Sequence, residues 1–87
     1  MTMVKAFDLS IMTPDKMIYE GKTVSLVVPS ESGYIGVLAN HAPLVTNLSA
    51  GTITVRSDSG VRLSFRAPDK GFLEVLKNNA TIFLNTF

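Results

Sequence analysis

Cysteine and tryptophan are absent from this chain, and histidine occurs once, as His41. Without cysteine there are no disulfides and no thiolate metal sites, a usage that fits a reducing compartment. One imidazole and no thiol leave only carboxylates as further metal ligands. The acidic residues Asp8, Asp15, Glu20, Glu31, Asp58, Asp69 and Glu74 stand singly, mostly at turns, so no metal or cofactor is expected. There is no Gly-x-Ser-x-Gly elbow for nucleophilic catalysis. Gly33-Tyr34-Ile35-Gly36 lacks the following helix that a phosphate-cradling loop requires. Charge of one sign is also lacking: 8 basic against 7 acidic residues give a net charge of +1. That balance implies no long-range attraction to nucleic acid or anionic lipid. No apolar run approaches the roughly 20 residues of a membrane-spanning helix. The N-terminus has no basic region followed by an apolar run, so no signal peptide is expected. Helical periodicity is nearly missing too.

What is present is period-two alternation in short runs, split by Gly, Pro, Asn and Asp. Over 87 residues this reads as a single domain spanning 1–87. Hydrophobic residues make up 46% and charged residues 17%. That is apolar for so small a chain, which directs some apolar surface toward a partner. Phe7, Leu9 and Ile11 alternate with Asp8 and Ser10. Thr13-Pro14-Asp15-Lys16 reads as a turn with Pro14 at its second position. A short strand over 17–21 follows. Val24, Leu26 and Val28 then share one face, with Pro29 ending the ladder. Gly33 and Gly36 predict a bulge or a close backbone approach.

Two hairpins can be given registers. Ile53 and Val55 belong on one face with Val61, Leu63 and Phe65. A three-residue loop, Asp58-Ser59-Gly60, opposes Val55 to Leu63 and Ile53 to Phe65, and puts Gly60 at a left-handed position. Farther on, a two-residue loop at Asn78-Asn79 opposes Val75 to Ile82 and Leu73 to Leu84. That hairpin carries Phe72, Leu76 and Phe83 on its other face, making it apolar on both sides. Roughly nine such segments with regular turn signals predict an all-β sandwich or flattened barrel.

Arg56, Arg62 and Arg66 share the polar face of the first hairpin with Thr52, Thr54 and Ser64. A solvated sheet face is the default for them, and contact with an acidic partner is the alternative. Nucleic-acid binding would want interleaved aromatics, which that face lacks. His41 has two structural readings. It braces the corner made by Pro43, which spacing favours, or it lies at a partner surface. A small hydrolase using His41 as base is a third possibility, and no nucleophile is evident beside it.

His41-Ala42-Pro43-Leu44 resembles a signature of the amino-terminal domain of the epsilon subunit of F-type ATP synthases, called delta in mitochondria. Thr13-Pro14, Glu20-Gly21, Val28-Pro29, Gly33, Gly36, Leu48, Gly51, Gly71-Phe72, Glu74-Val75, Asn79 and the strand from Thr81 to Leu84 match in order and spacing. Departures are Ala39-Asn40 where Pro-Gly is common, Lys70 for a usual glycine, Asn85 for a frequent aspartate, and Tyr34 where many members carry an acid. The resemblance implies a flattened β-sandwich of about ten short, mostly antiparallel strands. It implies a non-catalytic rotor subunit of the central stalk, with no cofactor. Such a subunit joins gamma to the membrane c-ring and couples proton flow to ATP synthesis. It implies a place on the cytoplasmic side of a bacterial membrane, or the equivalent organellar face, peripheral and not inserted. By position, Glu31, Ser32, Gly33, Tyr34, His41 and Pro43 are the expected contacts with the ring loop and gamma, Glu31 supplying the charge that Tyr34 lacks. The family's two-helix C-terminal hairpin has no counterpart before Phe87, so its restraint of ATP hydrolysis and its ATP site are expected to be missing. A free-standing β-sandwich binding module, for a carbohydrate or peptide, is the alternative function.

Overall fold

The structure, a computed structural model, describes residues 5–87. Eight strands follow in order: β1 Phe7–Thr13, β2 Lys16–Ser30, β3 Gly33–Val37, β4 Leu44–Leu48, β5 Gly51–Ser57, β6 Arg62–Ala67, β7 Gly71–Leu76 and β8 Asn79–Leu84. The all-β expectation holds, with eight strands instead of about ten. One reason is that the segments over 17–21 and 22–29 are a single 15-residue strand, β2. Pro29 does not end that strand, which continues to pair Ser30 with Gly33 and with Leu48. Nor does the ladder between β2 and β3 contain a bulge; Gly36 pairs Val27 in an unbroken run.

A single sheet folds over on itself. Its strand order is β1-β8-β7-β4-β2-β5-β6, with β3 beside β2 and β1 also pairing β2. The long β2 is the hinge of the arrangement, pairing β1 near its start and β3 and β5 near its end. One layer is thus β4-β7-β8-β1 and the other β3-β2-β5-β6. Every pairing is antiparallel except β1 with β8, which is parallel. Between the layers lies one core that includes Leu9, Ile11, Leu26, Val28, Leu48, Ile53, Val55, Leu73, Ile82 and Leu84. Alternation sends these inward because successive strand side chains point to opposite faces.

The first hairpin has the expected register: Val55 opposes Leu63, Ile53 opposes Phe65, and Gly60 has φ +90°. Val61 is exposed, not part of the apolar face. The second hairpin is offset. Leu73 opposes Ile82 and Val75 opposes Ala80. Its loop is Lys77-Asn78, with φ of 50° and 59°, the left-handed pair of a type I′ turn. A two-residue slip keeps every side chain on its face, so the core assignment survives and gains Ala80, fully buried. A second correction lies in β2. Its pairing with β5 slips between Thr23 and Ser25, so Val24 is an extra residue and the alternation changes parity. Thr23 is buried in its place, and Val24 is only half-buried.

Candidate partner-docking surface

The layer β4-β7-β8-β1 turns Leu48, Leu73, Val75, Ala80, Ile82, Leu9 and Ile11 inward. By alternation its outer face carries Val45 and Asn47 from β4, Phe72, Glu74 and Leu76 from β7, Thr81 and Phe83 from β8, and Ser10 and Met12 from β1. The registers place Phe72 beside both Asn47 and Phe83, and Met12 beside Phe83. Phe72 and Phe83 stack with ring centroids 5.2 Å apart. They line an open groove of about 460 Å³ together with Met12, Asn47 and Lys70. Val45 lies next to Glu74 toward the other end, followed by Leu76. Glu74 is the one ionisable side chain in the middle of this face. Val45 is 68% exposed and Leu76 47%, a concentration of apolar surface that water does not favour.

The corner bearing His41 borders this face. It joins β3 to β4, and Pro43 precedes Leu44, which opposes Val75. Asn40 has φ +63°, a conformation asparagine tolerates better than most residues. That explains how it stands where glycine is common. Asn78 fixes the corner from across the sheet. Its Oδ1 accepts the Asn40 N–H at 2.7 Å, and its Nδ2 donates to the Ala6 carbonyl at 2.9 Å. His41 does not brace the corner in a comparable way. Its ring is exposed, and Nδ1 donates to the adjacent Ala42 carbonyl at 2.7 Å. Among the described residues no three His, Asp or Glu side chains gather as they would around a metal.

Glu31, Ser32, Gly33 and Tyr34 occupy the other end of β3. Antiparallel pairing sets Gly33 against Ser30 and Val37 against Leu26. The turn is therefore a full strand away from His41 and Pro43, and the six expected contact residues form two places, not one. Inside the turn, the Ser30 hydroxyl donates to the Gly33 carbonyl. Tyr34 leans across to β5, where its hydroxyl accepts the Thr52 N–H at 3.2 Å. Gly51 makes room for this. A Cβ there would stand 2.7 Å from Pro29 Cβ and 2.9 Å from the Tyr34 oxygen. The hydroxyl is thereby engaged within the protein, and the ring, 60% exposed, is what Tyr34 presents outward. Glu31 and Ser32 are exposed at the tip.

A profile of the ATP synthase delta/epsilon chain β-sandwich domain matches residues 6–87. The chain belongs to the ATP synthase delta/epsilon family. The ATP synthase epsilon chain of Leptospira borgpetersenii is 40% identical over 75 residues, covering 86% of this chain and 58% of its own length. The chloroplastic ATP synthase epsilon chain of Tetradesmus obliquus is 38% identical over 80 residues, covering 92% and 57%. This delta/epsilon domain thus spans a little over half the length of these relatives. Among solved structures, a chain of the Euglena gracilis mitochondrial ATP synthase (OSCP/F1/c-ring) superposes with a TM-score of 0.85 at 22% identity, covering 92% of this chain and 51% of that one. A chain of the Tetrahymena thermophila mitochondrial ATP synthase central stalk and c-ring gives 0.75 at 16% identity, covering 95% and 66%. At such identities the likeness speaks for the fold, and it agrees with the family's β-sandwich.

Sequence reasoning found Phe72, Leu76 and Phe83 but missed Leu38 and Val45, which flank the corner and are 64% and 68% exposed. Their signal was available: both lie in the apolar runs on either side of His41. It also missed Asn78 as the anchor of that corner. Nothing local marks a hydrogen bond to a residue 38 positions away.

Proposed function

We propose that this delta/epsilon-family domain is a non-catalytic subunit of the central stalk of an F-type ATP synthase. It joins gamma to the c-ring, so that ring rotation driven by proton flow reaches the sector that makes ATP. It lies peripheral to the membrane, on the cytoplasmic side in a bacterium or the equivalent organellar face. The observation that carries this reading is family membership over residues 6–87, in a molecule that presents two unlike exposed surfaces.

The outer face of β4-β7-β8-β1, with the His41 and Pro43 corner, suits gamma. It is broad and apolar, and two stacked aromatic rings offer the kind of anchor that dominates protein interfaces. The turn Glu31-Ser32-Gly33-Tyr34 suits the polar loops of a ring. It offers a carboxylate, a hydroxyl and an aromatic ring at the tip of a tightly tied turn. Co-expression of this chain with gamma and ring subunits from the same source tests both assignments. Purification should recover a stoichiometric complex. Phe83→Asp should release gamma, because a buried unpaired carboxylate is strongly unfavourable. Glu31→Lys should weaken ring attachment and leave gamma bound. Failure of the unaltered chain to bind gamma would overturn the stalk assignment, and loss of gamma in the Glu31 variant instead would exchange the two surfaces.

A further inference from the structure

Strand β6 is the last in the sheet, and among the described residues it pairs with β5 alone. Its unused backbone groups can be assigned. The Ser57 N–H donates to the Val61 carbonyl at 2.8 Å, so Ser57 and Val61 form a hydrogen-bonded pair. Antiparallel ladders alternate, so Leu63, Phe65 and Ala67 also turn their N–H and C=O groups toward β5. An independent contact agrees. The Thr52 N–H reaches the Tyr34 hydroxyl at 3.2 Å, which points it away from β6. Arg62, Ser64 and Arg66 therefore direct their backbone donors and acceptors at the open edge. The same three residues are exposed on the outer face, alongside Arg56, which sits opposite Arg62. Like charges directly opposed disfavour the sheet. The ion pair found among the described residues joins Lys22 to Asp8 and involves none of these arginines.

We propose that the β6 edge is a docking site for an extended acidic segment of another polypeptide, added as an antiparallel strand. The edge supplies main-chain bonds at every second residue. The partner residues opposite Arg66, Ser64 and Arg62 fall at positions k, k+2 and k+4 with side chains on the arginine face. Carboxylates at k and k+4 would meet Arg66 and Arg62 in charge-assisted hydrogen bonds. The intervening residues would point to the other face, beside half-buried Leu63 and Phe65, and are apolar. The recognised pattern is thus acidic, apolar, any, apolar, acidic. Arg66 opposes Thr52, whose N–H meets the Tyr34 hydroxyl, so the site adjoins the Glu31–Tyr34 turn. It uses the β6 edge, which neither surface assigned to the stalk includes, and does not depend on that assignment.

The test uses the isotopically labelled 87-residue chain and a blocked nonapeptide centred on Glu-Val-Thr-Val-Glu. Titration should shift the amides of Arg62, Ser64 and Arg66. Hydrogen exchange at these three should slow, while exchange at Leu63 and Phe65 stays the same. Binding should weaken as NaCl rises. A peptide with glutamine for both glutamates, or the variant Arg62→Gln/Arg66→Gln, should bind at least about tenfold more weakly. Ser64→Pro removes an outward N–H that β5 does not use, a change an edge strand accommodates, and should also weaken binding. No binding at millimolar peptide overturns the proposal. So does binding without slowed exchange at the three amides, which would mean attraction of charge alone. Tighter association with anionic phosphatidylglycerol vesicles than with the peptide overturns it as well.

Discussion

Thr23 occupies a core position that simple alternation assigns to Val24. Its hydroxyl is fully buried, and no partner is found for it. The backbone slip in β2 explains the exchange: one extra residue there reverses which parity faces inward. Such a slip arises from fitting β2 between β1 and β5, and the residues near Thr23 carry no mark of it. A buried hydroxyl without a hydrogen bond destabilises by about 1–3 kcal/mol. Thr23→Val keeps the shape and removes the penalty, so chemical denaturation should show a gain of about 1 kcal/mol. A loss in that experiment would mean that the hydroxyl has a partner, such as an enclosed water. Ile82 presents the opposite case, since alternation alone places it inward and the structure buries it completely. Ile82→Ala should cost about 2–4 kcal/mol, against a total of roughly 5–10 kcal/mol for a domain of this size.

At the scale of elements, the two hairpins show what local sequence can and cannot specify. The β5–β6 loop was legible because only one loop length puts Ile53, Val55, Leu63 and Phe65 on one face and a glycine at the left-handed position. The β7–β8 loop was not, because two adjacent two-residue loops keep the same faces. Asn78 decides between them through distant partners, Asn40 and Ala6. Asn78→Ala loses both bonds and strains a left-handed φ, so it should cost about 2–3 kcal/mol. Asn78→Gly loses the bonds without the strain and should cost less, by about 1 kcal/mol. Equal losses in thermal or urea denaturation would show that the conformation adds nothing to the bonds. The β1–β2 turn adds a pH term. The Thr13 hydroxyl donates to Asp15 at 2.7 Å and holds its carboxyl below its ordinary value of 3.8. The unfolded chain then binds that proton more readily, so the stabilisation is complete above the ordinary value and fades as pH falls through the lowered one. Asp15→Asn should flatten the acid limb of the stability profile below about pH 4, with a small loss of stability at neutral pH and none in strong acid, where the carboxyl is already protonated.

At the scale of the whole molecule, the sequence disclosed the layers and concealed their closure. Alternation and turn signals predict a sandwich, and the family resemblance predicts where its corners lie. Neither shows that the first and last strands pair in parallel, with Leu9 beside Ala80 and Ile11 beside Ile82. That pairing links residues more than 70 positions apart and seats β8 between β1 and β7. The two ends of the chain are thereby made into one cooperative unit, and truncations should separate structure from surface. Deleting residues 85–87 removes the Phe87 ring that packs on Phe65 at 6.2 Å and the Asn85 N–H bond to the Lys70 carbonyl. Such contacts contribute about 1 kcal/mol, so the melting temperature should fall by about 4–8 °C with the transition intact. Deleting residues 79–87 removes Ala80, Ile82 and Leu84 from the core and leaves both β1 and β7 with unpaired edges. No cooperative transition should remain in calorimetry, because the lost burial exceeds the net stability of so small a domain. A sharp melt in the longer deletion would mean that β1 and β2, with the second layer, form a stable unit without the closing strand.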